Sequence, residues 1–433
     1  MSLFKSFRLG LLHVVAAITL VPITGVLNRL MIFEFGILAT VVAALIVLPY
    51  LLSPLQIWIG QYSDTHPLWG YRRTPYIALG LLLNIGGAML TPHAALLMDQ
   101  QFWPGLGLAA LAFGMWGMGF NVATVSYLSL ASDLSTPQER TRTVAIMWFM
   151  MIASVIVAAI IIGRALDDYT PAQLVRVFTA LGGVAFALGA IGLIGLEPRH
   201  QRLRPQSRHS KGAAVRAVLV NPQARLFFIY LIILLAAILG QDVLLEPYGA
   251  QAFGLSVRQT TQLTSIWGTA LLIALLVEGF LLSRWLSKKA GAALGGVIAA
   301  LGLTLIAVSG MLGLESVFLA GVIGLGFGTG ISTATNLALM LDMTTQEQVG
   351  LFIGAWGVAD ALARGAGMLM AGVVRDVITA FTGSAVGGYI MVFLIEAGLL
   401  CISLMLLRAI NVAAFHAQQP TLTELVALTG ETT

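Results

Sequence analysis

The stretch Gly119-Phe-Asn-Val-Ala-Thr-Val-Ser-Tyr-Leu-Ser-Leu-Ala-Ser-Asp133 aligns without a gap to Gly328-Thr-Gly-Ile-Ser-Thr-Ala-Thr-Asn-Leu-Ala-Leu-Met-Leu-Asp342. Thr124 falls on Thr333, Leu128 on Leu337 and Leu130 on Leu339. Beyond it Ser135-Thr-Pro-Gln-Glu139 follows onto Thr344-Thr-Gln-Glu347 with one residue deleted, and Trp148 then falls on Trp356. Both copies run from the end of a fourth apolar segment into the connection after it. The same element on the same side of a membrane in each half is a parallel repeat, about an axis along the membrane normal.

The surrounding composition makes the membrane explicit. The 433 residues are 58% hydrophobic and 10% charged, with a mean hydropathy of +0.92. A soluble domain carries about a quarter charged residues, so the outer surface here must face lipid. Uninterrupted apolar runs such as Leu226–Leu239 and Ala292–Val308 predict helices, because a barrel strand would alternate polar and apolar positions. At roughly 20 apolar residues per crossing, the length accommodates about twelve spans. We place them near 9–30, 36–58, 75–97, 104–130, 143–163, 175–196, 224–246, 262–283, 290–311, 315–340, 350–374 and 388–408. The N-terminal segment has the flanking cations of a signal peptide, Lys5 and Arg8, but its apolar part is too long and meets Asn28-Arg29 rather than a small-residue cleavage site. It is expected to be an uncleaved first span.

Charge placement orients the chain. The even-numbered connections hold Arg72 and Arg73, Arg140 and Arg142, and then Arg284, Lys288 and Lys289. The connection after span six holds Arg199, Arg202, Arg204, Arg208, Lys211 and Arg216. The odd-numbered ones hold only Arg29, Arg164, Arg176, Arg258 and Arg375. By the positive-inside rule both termini and the central connection are cytoplasmic. The expected organisation is a six-helix half over 1–196, a basic linker over 197–223, a second six-helix half over 224–410 and a tail over 411–433. The linker reads as a headgroup-touching loop rather than a nucleic-acid site. The single cysteine, Cys401, can form no internal disulfide and is expected to be a core or lipid-facing residue; no metal site is expected.

Three groups of residues carry candidate chemistry. The first is the loop Gly60-Gln-Tyr-Ser-Asp64-Thr-His-Pro-Leu-Trp-Gly70-Tyr-Arg72-Arg73, read as a cytoplasmic gate in which a carboxylate meets a helix N-terminus and an arginine. An ordinary polar turn with inside-positive anchors is the alternative. The second is the set of charges within spans: Asp360 and Arg364 at i, i+4, Glu278, and Glu396. Such groups are costly in a bilayer and mark ion pairs or proton sites. The third is a cluster at the outer ends of spans one and seven: Asn28, Arg29 and Glu34, opposite Gln241, Asp242, Glu246 and Tyr248. There Arg29 could reach Asp242 or Glu246 and close the outer side, or these charges could snorkel. His13 lies well within the first span. It is either a hydrogen-bonded core residue or an axial ligand for a magnesium tetrapyrrole.

The gate loop resembles the major facilitator superfamily pattern, and the parallel repeat agrees with that fold. Thr24-Gly-Val-Leu-Asn28-Arg29-Leu-Met-Ile-Phe-Glu34, Gln241-Asp242-Val-Leu-Leu-Glu246-Pro-Tyr-Gly249, and Ser63-Asp64-Thr-His66 with Gly70-Tyr-Arg72-Arg73-Thr-Pro-Tyr76 resemble the PucC/LhaA family, from span one to span twelve. Pro67-Leu-Trp69 is short for the family, and Ala250 stands where a second glycine is common. The resemblance implies a non-enzymatic factor that delivers bacteriochlorophyll and assembles light-harvesting antenna in an inner, photosynthetic membrane. It implies bacteriochlorophyll as the bound ligand, with carotenoid or lipid as further candidates. The implied partners are antenna polypeptides, the reaction centre, pigment-synthesis enzymes and membrane lipids, with no nucleic acid. His13, Asn28, Arg29, Glu34, Gln241, Asp242, Glu246 and Tyr248 are the expected pigment contacts. Two other readings stand beside it. One is a transporter of a small amphiphilic solute, coupled to protons through Glu278 or Glu396; the other is a structural antenna subunit that moves nothing.

Overall fold

In the computed structural model of the chain the described residues are 3–53, 55, 59, 62–63, 66–135, 137–167, 169–199, 221–344 and 349–417. They are helical almost throughout; among them the one strand-like pairing is the isolated bridge between Leu68 and Tyr71. The helices are α1 (Leu3–Val21), α2 (Ala39–Leu51), α3 (Thr74–Gln100), α4 (Phe102–Leu134), α5 (Pro137–Ala165), α6 (Pro171–Leu193), α7 (Pro222–Gly240), α8 (Leu245–Phe253), α9 (Val257–Phe280), α10 (Lys288–Leu312), α11 (Glu315–Asp342), α12 (Val349–Thr382), α13 (Ala385–Ala409) and α14 (Val412–Ala417). Eleven described helical stretches are long and apolar enough to cross a membrane. The second expected span is present as α2, an apolar helix of 13 residues; the end of that span falls largely outside the described residues.

Two elements differ from the sequence expectation. The first span is one apolar rod from Leu3 to Glu34, but its outer third, Pro22–Leu27 and Leu30–Glu34, is wound as π-helix. Pro22 begins the first π segment, where its missing N–H and ring displace the regular bonding. The expected seventh span, 224–246, stops early. A 3-10 turn at Gln241–Val243 breaks it, and Glu246 lies beyond the spanning stretch, on the separate short helix α8. Gly254 ends α8 in the left-handed conformation that suits a helix C-terminus.

The chain forms two compact units. One comprises Met1–Leu203, Asp242–Gly268 and Ala371–Gly388; the other comprises Arg204–Gln241, Thr269–Met370 and Tyr389–Thr433. In the first, a core of Leu9, Leu12 and Val15 from α1 packs on Ile77 and Leu81 from α3 and Tyr127 and Leu130 from α4. Lipid removes most of the hydrophobic drive between helices, so close approach and interhelical hydrogen bonds must hold them together. Gly119 lies where a Cβ would overlap the Asn84 backbone nitrogen, and the repeat-aligned Gly328 lies equivalently against the Ala299 nitrogen. The aligned glycines do the same job in each half: each lets α4 or α11 touch the backbone of the helix before it. Buried polar groups are tied within each unit. Thr19 donates to Asn84 Oδ1 (2.9 Å) and Asn84 to the Trp116 carbonyl (3.0 Å) in one; Tyr230 donates to Asn336 Oδ1 (2.8 Å) in the other.

Candidate functional site

All of the outer cluster except Gln241 lies inside the first unit. The π-wound end of the first span carries Asn28 and Arg29, both almost fully buried. Asn28 Nδ2 donates to the Val243 carbonyl at 2.6 Å, and Arg29 Nη2 to the Leu255 carbonyl at 3.3 Å. Those carbonyls end the 3-10 turn before α8 and follow the end of α8 itself. The expected pairing of Arg29 with Asp242 or Glu246 is replaced by an ion pair with Glu34 at 2.9 Å. Five residues of helix bring that carboxylate back over the guanidinium, while Phe33 stacks beneath it with 5.1 Å from Cζ to the ring centre.

Glu246 sits deeper, 4% exposed. Its Oε1 accepts from the Thr264 hydroxyl at 2.7 Å, and it presses on Gly25, where a Cβ would stand 2.7 Å from that oxygen. Burial pushes the Glu246 carboxyl up to about 8, against the Thr264 hydrogen bond and the charge of Arg29, which both pull it down. Burial therefore favours its protonated form. Two oxygens here are buried without a hydrogen-bond partner, Asn28 Oδ1 and Glu246 Oε2. Tyr248 is fully buried and meets the Phe253 ring edge-on at 5.8 Å. Asp242 is half-buried; Gln241 is buried and belongs to the second unit. Such orphaned oxygens are the type that magnesium prefers, so the donor chemistry fits a magnesium tetrapyrrole. The cluster as built is packed shut, and a macrocycle would have to part Gly25 from Glu246.

Further polar contacts carried no signal in the sequence. Asp376, at the outer part of α12, accepts from the Ala39 and Thr40 amides (3.2 and 2.8 Å) and from the Thr40 hydroxyl (2.7 Å), which caps α2. Arg375 pairs with it at 2.9 Å. Asp376 gave no signal because an acid at a span end is ordinary. Arg258 also reaches Asp167 at 2.8 Å.

At the opposite, arginine-rich side, Gly60 and Asp64 of the expected gate lie outside the described residues. Leu68–Tyr71 is a tight turn with positive φ at Trp69 and Gly70, the backbone that a two-residue hairpin turn of the primed type needs. Arg73 donates to Ser63 Oγ at 2.7 Å and lies 3.6 Å from Asp133, with Arg72 at 4.0 Å from the same carboxylate. In the second half Lys288 pairs with Asp342. Asp133 and Asp342 close the two copies of the sequence repeat, and that was the available signal for them. Glu197 also went unrecognised. Its carboxylate accepts from the amides of Arg72, Arg73 and Thr74 and from the Thr74 hydroxyl, at 2.7–3.1 Å, and so caps α3.

The span charges divide by burial. Asp360 and Arg364 pair at 3.0 Å, but their side chains are 31% and 28% exposed, so the pair is less enclosed than a bundle-interior reading implies. Glu278 is buried with Oε2 unpartnered, and Glu396 is fully buried against Gly240. His13 is 5% exposed with Nδ1 unpartnered, boxed by the rings of Tyr127 and Trp148 at 5.4 and 5.2 Å. Cys401 is exposed on its helix, the lipid-facing alternative.

Residues 26–415 match the family model described as PUCC protein. The chain is 34% identical to the protein named Protein PucC of Cereibacter sphaeroides, covering 96% of this chain and 94% of that one. It is 30% identical to the Bacteriochlorophyll synthase 44.5 kDa chain of Rhodobacter capsulatus, covering 96% and 97%. Among solved structures it is similar to the nucleoside transporter NupG, with a TM-score of 0.67 and 14% identity over 94% of this chain and 98% of that one. At that identity the likeness concerns the fold: an almost all-helical membrane protein of the major facilitator type.

Proposed function

The chain belongs to the PUCC protein family, a photosynthesis-related family of membrane proteins, and from that membership we propose that it delivers bacteriochlorophyll and assembles light-harvesting antenna complexes. The observation that carries this reading is the match over nearly the whole chain to relatives that include one named for bacteriochlorophyll. The protein works as a non-enzymatic carrier in the photosynthetic inner membrane, with both termini in the cytoplasm. Its partners are antenna polypeptides, with the reaction centre and pigment-synthesis enzymes beside them.

The outer cluster supplies the chemistry. The pigment brings a magnesium ion that takes an oxygen ligand, and Glu246 Oε2 and Asn28 Oδ1 are buried oxygens with that bonding capacity unused. A neutral Glu246 can meet the pigment without adding a net charge to an apolar site. Arg29, held by Glu34 and the Leu255 carbonyl, fixes the position of the π-wound segment that carries Asn28. His13 is the competing ligand, at a different depth in the first span. Glu246→Ala and His13→Phe, made separately and purified from a pigment-making host, are expected to differ: the first loses most bound pigment per protein and the second retains it. The reverse result would move the ligand to His13, and no loss in either would remove both sites.

A further inference from the structure

Independently of that reading, we infer that the groove between α3 and α6 binds one anionic phospholipid of the cytoplasmic leaflet, with its phosphate at Arg199. The groove has a cavity volume of about 360 Å³. It is walled by Leu82 and Ile85 of α3 and by Phe186 and Ala190 of α6, and Gly189, with no side chain, opens the α6 wall. Tyr71, Thr74 and Glu197 form its polar end. The groove follows the first turns of α3 from Thr74 to Ile85, about 17 Å at 1.5 Å per residue, which suits an extended acyl chain. It opens on the surface where Leu82, Phe186 and Ile194 are exposed as lipid-facing residues are.

The polar end is where a headgroup would be recognised, and its charges select the sign. Glu197 is the acid nearest the opening, yet three backbone amides and the Thr74 hydroxyl take its oxygens, so its charge is directed inward to the α3 N-terminus. Arg8 is committed to the carbonyls that end α6, those of Ile191, Gly192 and Ile194. Arg199 differs from both. Its Nε donates to the Tyr71 hydroxyl at 3.0 Å, its guanidinium lies over the Tyr71 ring at 5.3 Å, and no carboxylate pairs with it among the described residues. Tyr71 lines the slot and Arg199 does not, so the guanidinium stands beside the polar mouth, held on Tyr71, cationic and with no carboxylate paired to it among the described residues. A fork of donors in this state matches a phosphodiester. The arginine distribution assigns this end to the cytoplasmic leaflet, where anionic lipids concentrate beside basic interfacial residues. Tyr71 supplies the amphipathic ring common at that depth.

The test uses the full-length protein, delipidated in detergent and titrated with phosphatidylglycerol or phosphatidylcholine of identical chains while thermal unfolding is followed. Phosphatidylglycerol is expected to reach half-maximal stabilisation at about fivefold lower concentration, which is about 1 kcal/mol for one basic residue at an anionic surface. Arg199→Gln should bring the two lipids together, while Ala190→Phe, which fills the slot, should weaken both. If Ala190→Phe does not fold, the Arg199→Gln comparison decides alone. Equal responses to the two lipids in the unaltered protein, or a full preference surviving in Arg199→Gln, would overturn the assignment. Phytol stabilising the protein as well as phosphatidylglycerol, with no dependence on Arg199, would also overturn it and give the slot to an isoprenoid chain.

Discussion

Glu246 holds one oxygen against Thr264 and leaves the other without a partner, so ionising it would leave a charge in a buried cluster. In the folded protein the carboxyl is pushed up to about 8, against an ordinary value of 4.5. The folded state keeps its proton where the unfolded chain has lost it, so stability falls as pH rises through that interval and levels off above about 8. The unaltered protein is expected to lose thermal stability between about pH 5 and pH 8, by at most about 1.4 kcal/mol per pH unit. Glu246→Gln should lose that slope and match the unaltered protein at acid pH; unfolding midpoints across pH in detergent check it. An unchanged slope in Glu246→Gln would mean that another group titrates. At this scale the sequence told which residue types are anomalous in a membrane, such as Arg29, Glu246 and Glu278. It did not tell their partners, because Glu34, Leu255 and Thr264 are brought to them by helix winding and by contacts distant along the chain. Asp376 and Glu197 escaped for a related reason: each caps a helix far from it in sequence, and a capping acid has no local pattern.

At the scale of elements the repeat proved the most informative stretch. Gly119 and Gly328 align in sequence and make the same backbone approach, to Asn84 and to Ala299. A Cβ at either position would overlap a backbone nitrogen, and a helix backbone cannot yield as a flexible side chain can. Gly119→Ala and Gly328→Ala are each expected to destabilise the protein by about 1–3 kcal/mol, the usual range for overpacking. Gly114→Ala, where a Cβ meets open space, should be near neutral. Retained yield and melting temperature in all three would contradict the close-packing account. The π-wound outer third of the first span and the break before α8 were not legible. Pro22 and the Gln241-Asp242 pair mark both places in the sequence, but a proline or a polar pair near a span end does not specify π or 3-10 winding, and the contacts that hold the result are tertiary: Asn28 and Arg29 are fixed to carbonyls at 243 and 255.

For the whole molecule, hydropathy was enough for a multi-pass helical protein, because lipid forces every backbone group into helices long enough to count. The proposal that the molecule carries a pigment rests on family membership and on the outer cluster, since a facilitator fold serves many cargoes. The direct test is the absorption spectrum of the full-length protein, purified from a photosynthetic host by a mild detergent route and separated from free pigment by size exclusion. A bacteriochlorophyll band in the near infrared that coelutes with the protein in fixed proportion, and falls in Glu246→Ala, is the predicted result. Protein that elutes intact from pigment-replete membranes with no such band would contradict the account.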